Sequence, residues 1–391
     1  MDGRVRNLYP GGNTPDGFYS YYNYILPQRE AEKIFCIKGG PGTGKSTLMK
    51  NIAQHFIKKG EDVDLMWCSS DPSSLDGVLI RNRNIAVVDG TAPHVVDPKN
   101  PGAVDEIVNL GDHWDEDELK KYRGEIVECS SHISEFFGYA YGYLKCAQQQ
   151  QIFMGNMLDR LIPHDRIREL KNRLKLNLDA VTVLKRAEGK AKRDDALGRY
   201  DYCGRVKRFF AGAITPAGIK SNITSVANGA GRVIVLDVPV GFRTGRLLRS
   251  VAERLADAGL DVEEYYCPMF PEERLEHIVC PGADIAIVTS NDFHTVGADD
   301  FDGRVSVIKA APDKDAWHDE MPEDIFRDLR ESSRALMIKA VEMLRKAKEQ
   351  HDVLEGYYIS GMDFSAADAI CEKLTDKIEN AASGKGSKNT N

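Results

Sequence analysis

Lys33 to Ala53 can be laid on Arg232 to Ala252 without a gap, and the match continues on both sides. Ile34-Phe35-Cys36-Ile37 falls on Val233-Ile234-Val235-Leu236, Gly42 on Gly241, Leu48-Met49-Lys50 on Leu247-Leu248-Arg249, and Ala53 on Ala252. Further out, Gly60 meets Gly259, Trp67-Cys68 meets Tyr266-Cys267, Pro72 meets Pro271, Ile85-Ala86 meets Ile285-Ala286, and His94 meets His294. Upstream, Gly11 with Thr14-Pro15-Asp16-Gly17 mirrors Gly212 with Thr215-Pro216-Ala217-Gly218. A period of about 200 residues is far too long for a solenoid, and each copy is long enough to hold its own core. The chain therefore reads as a tandem duplication of one domain.

Within the first copy, Gly39-Gly40-Pro41-Gly42-Thr43-Gly44-Lys45-Ser46-Thr47 satisfies GxxxxGK[ST]. In such a loop the glycines let successive backbone N–H groups curl around phosphate oxygens at a helix N-terminus. The lysine reaches the terminal phosphates, and the hydroxyl ligates Mg²⁺. The context fits. Lys33 to Lys38 is an apolar, β-forming run, expected as a buried parallel strand. After the loop, Leu48, Ile52, Ala53 and Phe56 recur at helical spacing up to Lys58-Lys59-Gly60, where basic residues and Gly mark a helix end.

The second copy replaces this loop with Val238-Pro239-Val240-Gly241-Phe242-Arg243-Thr244-Gly245-Arg246. Thr244 stands for Lys45, Arg243 for Gly44 and Gly245 for Ser46, so a triphosphate should not bind there in the ordinary way. Asp71 becomes Phe270 and Asp89 becomes Thr289, so two acids disappear with the loop. Groups kept in both copies, including Cys68/Cys267, His94/His294 and the Thr-Pro-x-Gly box, weigh towards architecture. Thr14 and Thr215 are expected as N-caps with Pro at the first helical position. On that helix Phe18, Tyr22 and Ile25 would form a packing stripe, with a nucleobase platform as the alternative.

Asn84 to Gly90 is an apolar strand ending in Asp89, the form of a Walker B segment whose acid holds Mg²⁺ beside the loop hydroxyl. Asp71 follows a second strand, Asp62 to Cys68. It can serve as base or metal ligand at the carboxyl end of a parallel strand, or as a turn former before Pro72. His94 is a γ-phosphate sensor or a structural hydrogen-bonding group, the latter favoured by His294. No Glu follows Asp89, so the hydrolytic base is unassigned.

The formal charge of −8 argues against a general nucleic-acid coat or membrane-surface protein. No apolar run of 18 residues and no signal-peptide start occur, so a cytoplasmic protein without membrane association is expected. Eight cysteines with no CxxC pair read as reduced structural thiols rather than a zinc site. Between Asp159 and Arg208, fifteen Lys/Arg face eight Asp/Glu. That basic helical stretch is a solvated connector, or else a lid or source of an arginine finger.

Gly39 to Thr47, Asp71-Pro72-Ser73-Ser74-Leu75-Asp76-Gly77 and Asp89-Gly90-Thr91-Ala92-Pro93-His94 together resemble a largely uncharacterised bacterial family of tandem P-loop ATPases. The resemblance covers nearly the whole chain and implies ATP binding with hydrolysis; it names no substrate. In that family the second copy commonly keeps a recognisable glycine loop, from which this chain departs at Arg243, Thr244 and Gly245. The expectation is an α/β protein of two doubly wound parallel P-loop sheets with helical insertions. A P-loop domain would span 1–158, a basic connector 159–207, a degenerate P-loop domain 208–380 and a disordered tail 381–391. Gly39 to Thr47 would bind Mg·ATP, with Lys45, Asp89 and Asp71 catalytic and Ser46 and Asp89 on the metal. Slow, partner-regulated ATP hydrolysis is expected. The rivals are a small-molecule kinase with Asp71 as base and a non-catalytic nucleotide-dependent switch or scaffold.

Overall fold

A computed structural model of the chain describes residues 1–91, 96–175, 204–310 and 323–383. It is an α/β protein built on two six-stranded mixed sheets. The first half runs β1 (Val5–Leu8), β2 (Gly11–Thr14), β3 (Gly17–Ser20), β4 (Lys33–Lys38), α1 (Lys45–Lys58), β5 (Val63–Trp67), β6 (Leu75–Ile80), β7 (Ile85–Asp89) and β8 (Asp105–Asn109). Helices α2 (Glu116–Lys121) and α3 (Arg123–Leu161) follow, and then a helix over residues 164–175, α4.

The second half repeats the plan with β9 (Val206–Phe209), β10 (Gly212–Thr215), β11 (Gly218–Ser221), α5 (Ile223–Ala227), β12 (Arg232–Asp237), α6 (Gly245–Asp257), β13 (Val262–Cys267), β14 (Phe270–Cys280), β15 (Ile285–Ser290) and β16 (Arg304–Lys309). It closes with α7 (Glu323–Ser360) and α8 (Phe364–Ser383). The first sheet is ordered β1-β5-β6-β7-β4-β8 and the second β9-β13-β14-β15-β12-β16, the same path strand for strand.

Two expectations need correction. The sheets are not wholly parallel: β6 runs antiparallel to both β5 and β7, and β14 to both β13 and β15. Cys68 to Ser74 is all that joins β5 to β6, too little chain for the dozen or more residues of a parallel crossover. Asn84 and Asp284, both left-handed at φ 53° and 55°, close the next turns. The Thr-Pro-x-Gly box does not start a helix either. It turns the hairpins β2–β3 and β10–β11, where Thr14 Oγ1 donates to Gly17 O and Thr215 Oγ1 to Gly218 O, each at 2.7 Å. Gly17 and Gly218 sit at φ 110° and 100°, a backbone that side-chain-bearing residues rarely adopt.

Nor is each sheet wrapped by its own helices on both faces. One apolar cluster unites Ile34, Cys36, Ala86 and Val88 of the first sheet with Val233, Val235, Ala286 and Val288 of the second. Ile223, Val226 and Ala227 of α5 lie in the same cluster. At its edge Tyr9 and Phe210 exchange both backbone hydrogen bonds at 3.0 Å. The buried Arg6 guanidinium bridges Asp64 of its own half and Glu263 of the other, each at 2.8 Å.

The helical tails are exchanged across this shared core. Met362, Ala367, Leu374 and Ile378, from the α7–α8 corner and α8, pack with Phe35, Ile37 and Ile52 of the first half. Leu158, Ile162, Leu170 and Leu174, from the end of α3 and α4, pack with Leu236, Leu248 and Leu255 of the second. The long α3 and α7 lie against one another and carry each tail to the opposite sheet. Residues 176–203, within the expected connector, and 384–391 of the expected tail lie outside the described residues. Among the described residues no helix is long and apolar enough to cross a membrane.

Candidate functional site

β4 delivers the glycine loop to the N-terminus of α1. Gly39, Gly42 and Gly44 take φ of 156°, 68° and 85°, so the loop's curl rests on residues without a β-carbon. Pro41 lies between the first two turns, and the Thr43 hydroxyl donates to Gly40 O at 2.9 Å, closing the loop on itself. Lys45 opens α1 and folds back, its ammonium donating to Gly39 O at 2.8 Å and Gly40 O at 2.6 Å. Asp89, at the end of the adjacent strand β7, brings Oδ2 to 3.7 Å from the same ammonium. Asp89 Oδ1 accepts the Thr91 N–H at 2.8 Å, and Thr91 Oγ1 donates to Gly39 O, also at 2.8 Å. Ser46, in the first turn of α1, accepts the Leu75 N–H at 3.0 Å, and Thr47 beside it is exposed. Lys45, Ser46 and Asp89, named from the sequence, therefore converge at one helix N-terminus.

Asp71 sits in the turn that leads to Leu75. Its Oδ1 accepts the Ser73 N–H at 3.0 Å and the Ser73 hydroxyl at 2.8 Å, and Oδ2 accepts the Ser74 hydroxyl at 2.9 Å. Burial works against the charge, but these hydrogen bonds and Lys348 hold the carboxyl below its ordinary range. This is the turn-forming alternative in operation. A carboxylate so stabilised is a weak proton acceptor. His94 lies outside the described residues.

Sequence reasoning missed what covers the loop. The C-terminal part of α7, from the second half, crosses it. A β-carbon on Gly42 would stand 2.9 Å from the Glu355 carbonyl oxygen, and one on Gly40 about as close to Trp114 and Tyr358, at 3.1 and 3.2 Å. Lys348 lies 3.4 Å from Asp71, and the buried His351 Nδ1 has no hydrogen-bond partner. The corner between α7 and α8 is pinned to the first half by Asp115 N donating to Gly361 O at 2.8 Å and Asp363 N to His113 O at 3.1 Å. More than 300 residues of separation in the chain hide this contact from local pattern.

The degenerate loop differs in backbone as well as side chains. Of its residues only Gly241, equivalent to Gly42, keeps a positive φ, at 91°. Val238 and Arg243 stand where Gly39 and Gly44 take the left-handed angles, and their β-carbons disfavour that curl. Arg243 is held by α3 instead, with Nη2 donating to Asn156 Oδ1 at 2.5 Å and Nη1 2.9 Å from Asp159. Thr244 donates to Leu275 O at 2.7 Å, and a β-carbon on Gly245 would meet Glu273 O at 2.1 Å. Gly155 of α3 packs on Gly241, as Glu355 of α7 packs on Gly42. Arg243 is therefore held by the end of α3, a first-half helix that covers the second sheet, and is not engaged at the first loop.

These features define an α/β protein of two six-stranded mixed sheets with the same strand order, the first carrying a glycine loop at the start of α1. The family described as Nephrocystin 3, N-terminal is similar to residues 20–79, a stretch holding the glycine loop, α1 and Asp71. No curated protein and no solved structure matches the chain.

Proposed function

We propose that the first half binds Mg·ATP at Gly39 to Thr47 and hydrolyses it slowly, with the second half acting as a pseudo-ATPase that arose by duplication. The observation that carries this reading is the convergence of Lys45 and Asp89, 3.7 Å apart, beside Ser46 at the start of α1, where the second half has none of the three. Bound phosphate oxygens would take over the Lys45 ammonium from the Gly39 and Gly40 carbonyls, exchanging neutral acceptors for charged ones. Ser46 and Asp89 would hold the metal, Asp89 through water. With Asp71 engaged in its turn and Asp89 beside Lys45, these two carboxylates supply electrostatic stabilisation rather than a strong base, which supports a low turnover.

Release of inorganic phosphate from labelled ATP tests this reading. Turnover should fall to background in Lys45→Ala, and label appearing instead in an organic product would make the protein a kinase. A second reading, a nucleotide-dependent switch, is favoured by α7 lying over Gly40 and Gly42. Clear ATP binding with no turnover above Lys45→Ala would select it.

A further inference from the structure

The second half holds a cavity of about 60 Å³ beneath its altered loop, lined by Ile214, Ile223, Arg274, Glu276, His277 and His294 among others. The first half shows what fills the equivalent space. There the fully buried Asp76 accepts the Tyr22 hydroxyl at 2.7 Å, and the Phe18 and Tyr22 rings crowd Gly11. Glu276 occupies the position of Asp76, and Ile223 and Ile219 those of Tyr22 and Phe18. The equivalence is fixed by backbone: Tyr21 N donates to Pro10 O and Asn222 N to Ala211 O, both at 2.7 Å. In each half a buried cysteine also hydrogen-bonds the acid, Cys68 on Asp76 and Cys267 on Glu276. The second half has thus kept the buried carboxylate, lost its hydroxyl donor and emptied the space the rings occupy.

Glu276 is 6% exposed and makes no salt bridge among the described residues. A carboxylate in such a place needs a charged or strong donor partner. The ligand atoms of Glu276, His277 and His294 lie within 4.8 Å of one another, which suggests a metal, but hydrogen bonding argues otherwise. His277 Nδ1 accepts the Thr289 N–H at 3.1 Å, so its other ring nitrogen carries the proton and has no lone pair to give. Burial pushes both imidazoles below their ordinary range, so neither offers Glu276 a positive charge. The Arg274 guanidinium also lines the cavity, but it donates to Gln151 Oε1 at 3.1 Å and lies 3.8 Å from the Phe270 ring centroid, and it forms no salt bridge with Glu276.

We propose that this cavity binds a small organic cation, an alkylammonium or amidinium group whose N–H donor takes the place on Glu276 that the Tyr22 hydroxyl takes on Asp76. The apolar walls receive its carbon atoms, and the cavity volume limits it to a few heavy atoms. The inference does not depend on nucleotide binding in the first half.

Ethylammonium chloride is a fitting probe, with ethanol as its uncharged isostere and sodium acetate as the anion of like size. Three heavy atoms hold its dissociation constant to roughly the millimolar range at best. A ligand-observed NMR titration of the full chain should show saturable binding of ethylammonium and none of ethanol or acetate. Glu276→Gln should weaken binding about tenfold or more by removing the charged acceptor. Ile223→Tyr should abolish it by restoring the pairing of the first half, without loss of melting temperature. Equal binding of ethanol, undiminished binding to Glu276→Gln, no saturable binding at all, or Glu276-dependent binding of zinc alone would each overturn the proposal.

Discussion

Replacing Arg6 by Met tests whether the two halves form one cooperative body. Arg6 donates through Nε and Nη2 to Asp64, both at 2.8 Å, and through Nη1 and Nη2 to Glu263 at 2.8 and 3.0 Å. Asp64 would keep Arg81 Nε at 3.5 Å, whereas Glu263 would keep only the Tyr265 hydroxyl at 2.9 Å. The substitution therefore strands a buried carboxylate at the junction of the halves, and breaking such a pair costs about 3–5 kcal/mol. The pH dependence follows from the sign of the shift. In the native protein burial raises the Glu263 carboxyl, but Arg6 prevails and holds it below its ordinary range. Its contribution is present above the unfolded value of about 4.3 and is lost as pH falls through the folded value. In Arg6→Met the same burial is opposed by the Tyr265 hydroxyl and Lys207, without the guanidinium, so protonation relieves the variant. The difference between the proteins, measured by urea denaturation, should be largest near pH 7 and shrink towards pH 4. Glu263→Leu added to Arg6→Met should recover much of the loss. A destabilisation below about 1 kcal/mol, one that does not change with pH, or separate unfolding transitions for the halves would refute the reasoning.

Leu374 of α8 is 2% exposed against the first sheet, so Leu374→Ala should cost about 2–5 kcal/mol and lower the melting temperature. Gly42→Ala places a β-carbon 2.9 Å from the Glu355 carbonyl oxygen at φ 68°, so it should lift the end of α7 and speed amide exchange across Gln350 to Ser360. Asp89→Asn should cut ATP turnover by about a hundredfold. Asp71→Asn, which keeps the Oδ1 acceptor for Ser73 and offers an amide N–H that the Ser74 hydroxyl can accept, should stay within a few-fold of the parent in the same assay.

The repeat made the matching strand order legible, because apolar runs and glycines recur in register: Ile34 to Ile37 with Val233 to Leu236, and Gly42 with Gly241. The loop itself was legible because its chemistry is local, needing glycines, a lysine and a hydroxyl at fixed spacing. The Thr-Pro-x-Gly box misled because Thr before Pro suits a helix cap and a hairpin turn alike. Gly17 and Gly218 decide for the turn through their positive φ. The antiparallel β6 was marked by the short connection after Cys68, a signal outweighed by the expectation of parallel strands in a P-loop sheet. The exchange of α4 and α8 had no local mark at all, since Leu374 and Ile378 are apolar whichever sheet they cover. For the same reason Lys348, His351 and Tyr358 could not be placed near the first loop by pattern.

Calorimetric titration of the full chain with Mg·ATP, beside Lys45→Ala, tests the central claim most directly. One nucleotide should bind per chain and none to Lys45→Ala; two per chain, or binding that survives the substitution, would contradict it.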